Sequence, residues 1–305
     1  MMHDVHDQHD HDHGLTHDLQ IMERMVERRR ALKWFAGAGT VAMVAGCGGT
    51  SGESSTSSAT TTATATPTPT PTPMPTSTTS SSTGSTAGCV LNPTETGGPY
   101  PADGTNSASG STSNVLTASG IVRSDIRASF LTSTTVATGV QVTLTLTLVD
   151  VNASCAPLAG YAIYLWQCDR QGHYSLYTAA AESYLRGVQV TDANGQVTFT
   201  TIFPGCYDGR WPHMHFEVFS SLANALGGRY AVLTSQLAMP SATCATVYAD
   251  TTTYPGSATT FARVALSSDN VFGDNTTAQN NQMTPTFSGT TTAGYTATAV
   301  IGIAR

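Results

Sequence analysis

Residues 140–151, VQVTLTLTLVDV, alternate valine and leucine with threonine at a period close to two. Side chains of a strand point to opposite faces in turn, so this pattern buries one face and leaves the β-branched threonines on the other. Strand character recurs at 161–168, 196–202, 213–219, 229–237 and 295–304, with turn residues between the segments. No convincing amphipathic helix follows Gly88. Short strands of this kind are satisfied by antiparallel sheets packed face to face, so the pattern predicts an all-β sandwich.

The sandwich accounts for residues 89–305, enough for one domain with a sizeable core. The earlier residues read differently. An apolar run of 13 residues, 34–46, is too short to span a bilayer and follows Arg29-Arg30, which together predict a twin-arginine export signal. Val44-Ala45-Gly46-Cys47 resembles a lipobox, so Cys47 is expected to be lipidated and to anchor an exported protein to the cell envelope. Cleavage there would remove the His- and Asp-rich tract at 3–17. Residues 48–88 are almost all Ser, Thr, Ala, Gly and Pro, a composition that cannot bury enough apolar surface to offset the entropy of ordering. They read as a tether, its TPTPTPTPMPT stretch stiffened toward polyproline II over roughly 30 Å. The expected domains are therefore a signal region at 1–47, a linker at 48–88 and a folded domain at 89–305.

After Cys47 the chain holds 8 arginines, no lysine and 13 acidic residues, a net charge of −5. There is no basic stripe, which excludes nucleic acid as a partner class. A small uncharged or weakly anionic aromatic molecule fits better. Oligomeric state is open, a homo-oligomer included. Five cysteines follow Cys47: Cys89, Cys155, Cys168, Cys206 and Cys244. An oxidising compartment predicts two bridges and one leftover thiol.

Of nine histidines, six lie in the N-terminal tract, leaving His173, His213 and His215 for the rest. His213 and His215 are two apart on a strand, so they project from one face while Met214 and Phe216 point into a core. Two imidazoles so placed can chelate one ion. Tyr174 and Tyr207, 33 residues apart and just upstream, complete a set of two phenols and two imidazoles. Phenol oxygens favour a hard ion of high charge that can displace a proton of pKa about 10, which makes ferric iron the best-suited metal.

The segments around these residues resemble the intradiol ring-cleavage dioxygenases. They are GGPY at 97–100, RSDIR at 123–127, PLAGYAIYLWQCDRQGHYSLY at 157–177, RGVQVTDANGQVTFTTIFPGCYDGRWPHMHF at 186–216 and TSQLAMP at 234–240, and they occur in the family's order. The resemblance is closest to the secreted single-domain branch. It implies a β-sandwich with non-haem Fe(III) in a cleft beside it, held by Tyr174, Tyr207, His213 and His215. A catechol would chelate the metal and displace Tyr207, which acts as a base. Arg210 would stabilise charge on the substrate, Gln236 would hydrogen-bond near the metal-bound solvent, and reaction with O2 would open the ring between the hydroxylated carbons to a muconate-type diacid.

Two other functions compete. One is a non-enzymatic module binding catechols or iron catecholates, and the other is a zinc hydrolase using His213, His215 and Glu217, which leaves the tyrosines unexplained. A thiolate ligand at Cys206 has no accompanying ligand spacing. Arg210 could instead pair with Asp208 or Asp192 at the surface, and a carboxylated catechol would need a further cation, for which Arg186 and Arg170 are available by sequence proximity.

Overall fold

The computed structural model describes residues 89–106, 114–228 and 230–305. The expected export signal, Cys47 and the linker lie outside them. Among the described residues nine strands form two sheets. The first holds β1 (Gln141–Asp150), β2 (Ala156–Pro157), β5 (Gln196–Ile202), β8 (Thr286–Thr290) and β9 (Gly294–Ile303), and the second runs β4 (Arg186–Val190), β3 (Ala162–Trp166), β6 (His213–Phe219), β7 (Leu233–Ala238). The all-β sandwich is borne out. Pairing is antiparallel except between β1 and β9, which run parallel because the chain crosses the whole domain between them.

Alternation in β1 does what its sequence implies. Val142, Leu144, Leu146 and Leu148 are fully buried against Ile163 and Leu165 of β3, Met214, Phe216 and Val218 of β6, and Ala297 and Ile301 of β9. Each such side chain contributes about 1.5–3 kcal/mol on burial, which makes this inter-sheet layer the main source of stability. Short helices also occur at Leu222–Leu226, Ser241–Tyr248, Ser257–Phe261 and Thr277–Met283. At 5–8 residues they are too brief to show a helical period, although Thr276 and Gln279 form a capping box at the last of them.

One feature of β6 positions the site. All seven of its residues are buried, so both faces of the second sheet are covered. The inner face meets the sandwich core, while the outer face lies beneath loops from the first part of the domain and from residues 167–185. Tyr164 and Trp166 of β3 share that outer face with His213, His215 and Glu217, and a second apolar layer that includes Val115, Leu116 and Tyr174 closes over it.

Cys89 and Cys155 form a disulfide with Cα atoms 5.9 Å apart, closing a loop of 66 residues and stabilising the fold by about 4 kcal/mol on chain-entropy grounds. The expected second bridge is absent among the described residues: Cys168, Cys206 and Cys244 are free and buried. Their side chains fill apolar layers rather than facing one another in bonding geometry, and burial raises the thiols of Cys168 and Cys244 and lifts that of Cys206 to about 12. The Cys206 thiol faces the Arg210 carbonyl at 4.0 Å.

Candidate metal centre

Strand register fixes the two imidazoles. In β3, β6 and β7, Trp166 lies opposite His215 and His215 opposite Gln236, so the three share one row across the sheet. The Trp166 and His215 rings stack with centroids 4.9 Å apart and planes within 7°. Stacking of this kind leaves the imidazole one orientation. His213 is held differently, its Nδ1–H donating to the Trp211 carbonyl at 2.5 Å, which directs the Nε2 lone pair inward.

The two phenols come from turns locked to each other. Asp169 Oδ1 accepts the backbone N–H groups of Gln171 and His173 at 2.8 and 3.0 Å, and its Oδ2 accepts the Tyr184 hydroxyl at 2.9 Å, which shapes the turn that presents Tyr174. Gly205 donates its N–H to Asp169 O at 2.9 Å, and a Cβ at Gly205 would sit 2.7 Å from Arg170 O. Only glycine permits that approach, which brings Tyr207 beside Tyr174. The exposed His173 lies on the same turn but joins no hydrogen bond of the centre.

The four polar tips converge. Tyr174 Oη lies 3.3 Å from Tyr207 Oη, 3.4 Å from His213 Nε2 and 3.1 Å from His215 Nε2; Tyr207 Oη is 3.1 Å from His213 Nε2, and the two Nε2 atoms are 3.0 Å apart. Four atoms with these spacings surround a common point at roughly 2 Å, an ordinary metal–nitrogen or metal–oxygen bond length. Burial keeps the set neutral: it raises both phenols, with mutual repulsion adding at Tyr174, and lowers both imidazoles, His213 to about 3. Three donors are nearly inaccessible, Tyr174 at 1%, His213 at 1% and His215 at 2%, whereas Tyr207 is partly exposed.

Beside the donors lies a charged network. Arg210 donates through Nε to Asp269 Oδ2 at 3.0 Å and through NH2 to Gln236 Oε1 at 2.8 Å, and Gln236 Nε2 donates to Thr96 O at 2.8 Å. Asp269 also accepts the backbone N–H groups of Trp211, Val271 and Phe272 at 2.7, 2.9 and 3.2 Å. Burial pushes its carboxyl up, but the Arg210 charge and these hydrogen bonds prevail and hold it below its ordinary value. The partner of Arg210 is thus neither Asp208, which pairs with Arg263 at 2.6 Å, nor Asp192, which caps the turn before β5. Asp269 lies 59 residues beyond Arg210 in an undistinguished segment, and nothing in the sequence marks it.

The two arginines available for a substrate carboxylate are engaged elsewhere. Arg186 is fully buried and donates to Ser175 Oγ and O, Pro101 O, Tyr164 Oη and Tyr100 O, all at 2.9 Å, so it braces the loop over the outer face. Arg170 bonds to Thr138 Oγ1 and Thr253 O on a separate threonine-lined surface. Glu217 shares the face of His215, yet its Oε1 accepts from Thr234 Oγ1 at 3.1 Å, and burial lifts its carboxyl to about 8. Among the described residues no group of three or more His, Cys, Asp or Glu is placed to hold a metal, so the zinc triad of His213, His215 and Glu217 does not form. His215 Nδ1, Trp166 Nε1 and Glu217 Oε2 are buried without a hydrogen-bond partner.

A β-sandwich with two phenols and two imidazoles converging on the outer face of one sheet defines the class of protein. Residues 124–241 match the family model described as Dioxygenase, which bears out the resemblance to the intradiol ring-cleavage dioxygenases. Among solved structures it is similar to the intradiol ring-cleavage dioxygenase from Tetranychus urticae, with 24% identity and a TM-score of 0.51 over 71% of this chain and 95% of that one. It also matches the dioxygenase domain of a carbohydrate-binding fusion from Streptomyces sp. SirexAA-E, with 21% identity and a TM-score of 0.44 over 70% and 99%. Catechol 1,2-dioxygenase from Pseudomonas arvilla C-1 matches with 18% identity and a TM-score of 0.41 over 69% and 61%. At 24% identity the likeness to the Tetranychus urticae structure speaks for the fold alone. No curated protein matches the chain.

Proposed function

We propose that the chain is a non-haem Fe(III) intradiol dioxygenase, which inserts both atoms of O2 into a catechol and opens the ring between its two hydroxylated carbons to give a muconate-type diacid. The observation that carries this reading is the convergence of Tyr174, Tyr207, His213 and His215 at 3.0–3.4 Å. Two neutral imidazoles and two phenols that lose their protons on binding would leave a trivalent ion with one net positive charge, suited to a dianionic diol. When bound, Fe(III) supplies Lewis acidity toward the diol and accepts electron density from it, which readies the ring carbon for O2.

The residues divide the remaining work. Tyr207, the one donor residue of the four that is only half-buried, is placed to leave the set and take a substrate hydroxyl proton on Oη. Tyr174, His213 and His215 stay in place because packing fixes them. Arg210, oriented by Asp269 and Gln236, directs its guanidinium charge at the oxygens where negative charge develops, and its burial strengthens that interaction. Gln236 keeps one N–H and one lone pair beyond its bonds to Arg210 and Thr96, enough for a hydrogen bond to solvent near the metal.

The reading extends to location. The protein is exported through the twin-arginine route, held at the cell envelope by a lipid on Cys47 and separated from it by the 48–88 tether. The test of function is iron content together with product mass after aerobic incubation with catechol. Iron-loaded protein that binds catechol but yields no diacid would favour the binding-module alternative.

A further inference from the structure

We infer that this site takes catechols whose ring carries no anionic substituent. The inference rests on the dioxygenase reading above and specifies its substrate class. Its basis is the inventory of the cations among the described residues from which a ring carboxylate could draw a partner.

No lysine follows Lys33, so every side-chain cation of the folded domain is an arginine, or a histidine that has taken up a proton. The surface arginines Arg127 and Arg263 are paired at 2.7 and 2.6 Å with Asp125 and Asp208. Arg123 lies over the Phe130 ring and donates to backbone carbonyls. Arg186 makes five hydrogen bonds from full burial, and Arg170 is bonded on another surface. Arg305 follows β9 in the first sheet, where its backbone N–H donates to Asp150, whereas His213 and His215 lie on the second sheet. Arg229 lies outside the described residues, as do residues 107–113, SASGSTS, which carry no charged side chain.

Arg210 alone remains among the described residues, and its charge is already matched by Asp269 in a pair whose side chains are 6% and 1% exposed. The other acid on that face of β6 is Glu217. A ring carboxylate entering here would leave water without gaining a cation, and an unpartnered buried carboxylate is strongly disfavoured. An uncharged substituent carries no such penalty, and the aromatic rings of Tyr100 and Tyr174, with centroids 4.9 Å apart, offer it apolar contact.

Size and charge can be separated with two probes of nearly equal volume, 3,4-dihydroxybenzamide and 3,4-dihydroxybenzoate, measured alongside catechol and 4-methylcatechol. With the iron-loaded full chain at pH 7, kcat/KM is read aerobically, and Kd is read by titration under nitrogen, where no turnover occurs. The amide should show a kcat/KM at least tenfold higher than the acid and a Kd at least tenfold lower. An acid that equals or outperforms the amide overturns the inference, and so does an amide that binds no better than the acid because both are excluded by size. If catechol is turned over while the acid matches the amide, the inference alone falls. If no probe binds, the dioxygenase reading falls with it.

Discussion

Arg210 and Asp269 form an ion pair at 3.0 Å with almost no solvent access, and the same carboxylate receives three backbone N–H groups. Asp269 touches none of the four donors through a hydrogen bond. Its charge is felt at Tyr207 and His213, but its direct bonds on the site side are to the guanidinium it orients.

Replacing Asp269 with Asn keeps an acceptor for the backbone and removes the charge. Turnover should fall about 10²-fold, the scale of losing one preorganised electrostatic contact, while iron content changes little. Stability should fall too, by about 3–5 kcal/mol at most, since breaking a buried pair leaves a charge uncompensated. The double variant with Arg210→Ala separates positioning from general damage. If Asp269 acts through Arg210, Asp269→Asn costs no further turnover in the Arg210→Ala background, whereas independent, additive losses would sink the assignment.

The exposure of the four donors predicts two kinds of failure. Tyr174→Phe and His215→Ala remove ligands that are 1% and 2% exposed and held by packing, so iron and colour should be lost together with activity. Tyr207→Phe acts at the one donor residue that is only half-buried. It should keep appreciable iron and still bind catechol, yet turn over slowly for want of a base. Iron analysis, the catechol-induced absorbance change and oxygen uptake test this. Full turnover by Tyr207→Phe would be incompatible with its role.

Much of this centre was legible because strand periodicity is a local rule. The two-residue spacing of His213 and His215 placed both imidazoles on one face, and β6 spans His213–Phe219 as its alternation implied. The threonine–leucine alternation of β1 likewise announced the core. What sequence spacing could not supply was long-range pairing. Nothing local joins Asp269 to Arg210 or Cys89 to Cys155, and five cysteines suggested two bridges where burial in apolar layers keeps three thiols apart. Arg186 was misplaced for the same reason. Its neighbours in sequence are near the site, but its partners, Tyr100 and Pro101, come from a loop more than eighty residues earlier.

Metal loading should be strongly pH-dependent, with a defined sign. Burial raises both phenols above their ordinary value of 10, so the metal-free centre holds two protons on Tyr174 and Tyr207 at neutral pH. Binding expels them, and apparent affinity should rise by up to about a hundredfold per pH unit. The imidazoles act on the acid side. Their folded values lie below 6.5, His213 at about 3, so their contribution to the stability of the metal-free protein is present above pH 6.5 and is lost as pH falls toward 3. Calorimetry in buffers of different ionisation enthalpy should count about two protons released per metal at pH 7. A count near zero would mean that the phenols do not ligate as phenolates.

Three glycines test how tightly the loop over the centre constrains His215. Gly98 has φ +70°, and a Cβ there would lie 3.2 Å from His215 Cε1, so Gly98→Ala adds backbone strain and a methyl group pressing on a proposed ligand. Gly228 has φ +69° with nothing within 4 Å, so Gly228→Ala carries the strain alone. Gly97 has no positive φ, and its added Cβ would meet Pro101 Cβ at an ordinary 3.6 Å. Gly97→Ala should therefore be nearly neutral, and Gly228→Ala should cost about 1–2 kcal/mol of stability, the usual penalty for a left-handed alanine. Gly98→Ala should show that same loss and in addition retain less iron, because the ring it presses on is also stacked on Trp166. The measurements are denaturant midpoints and metal content for all three variants. If Gly98→Ala loses stability like Gly228→Ala but keeps its full iron, the loop does not set the position of His215.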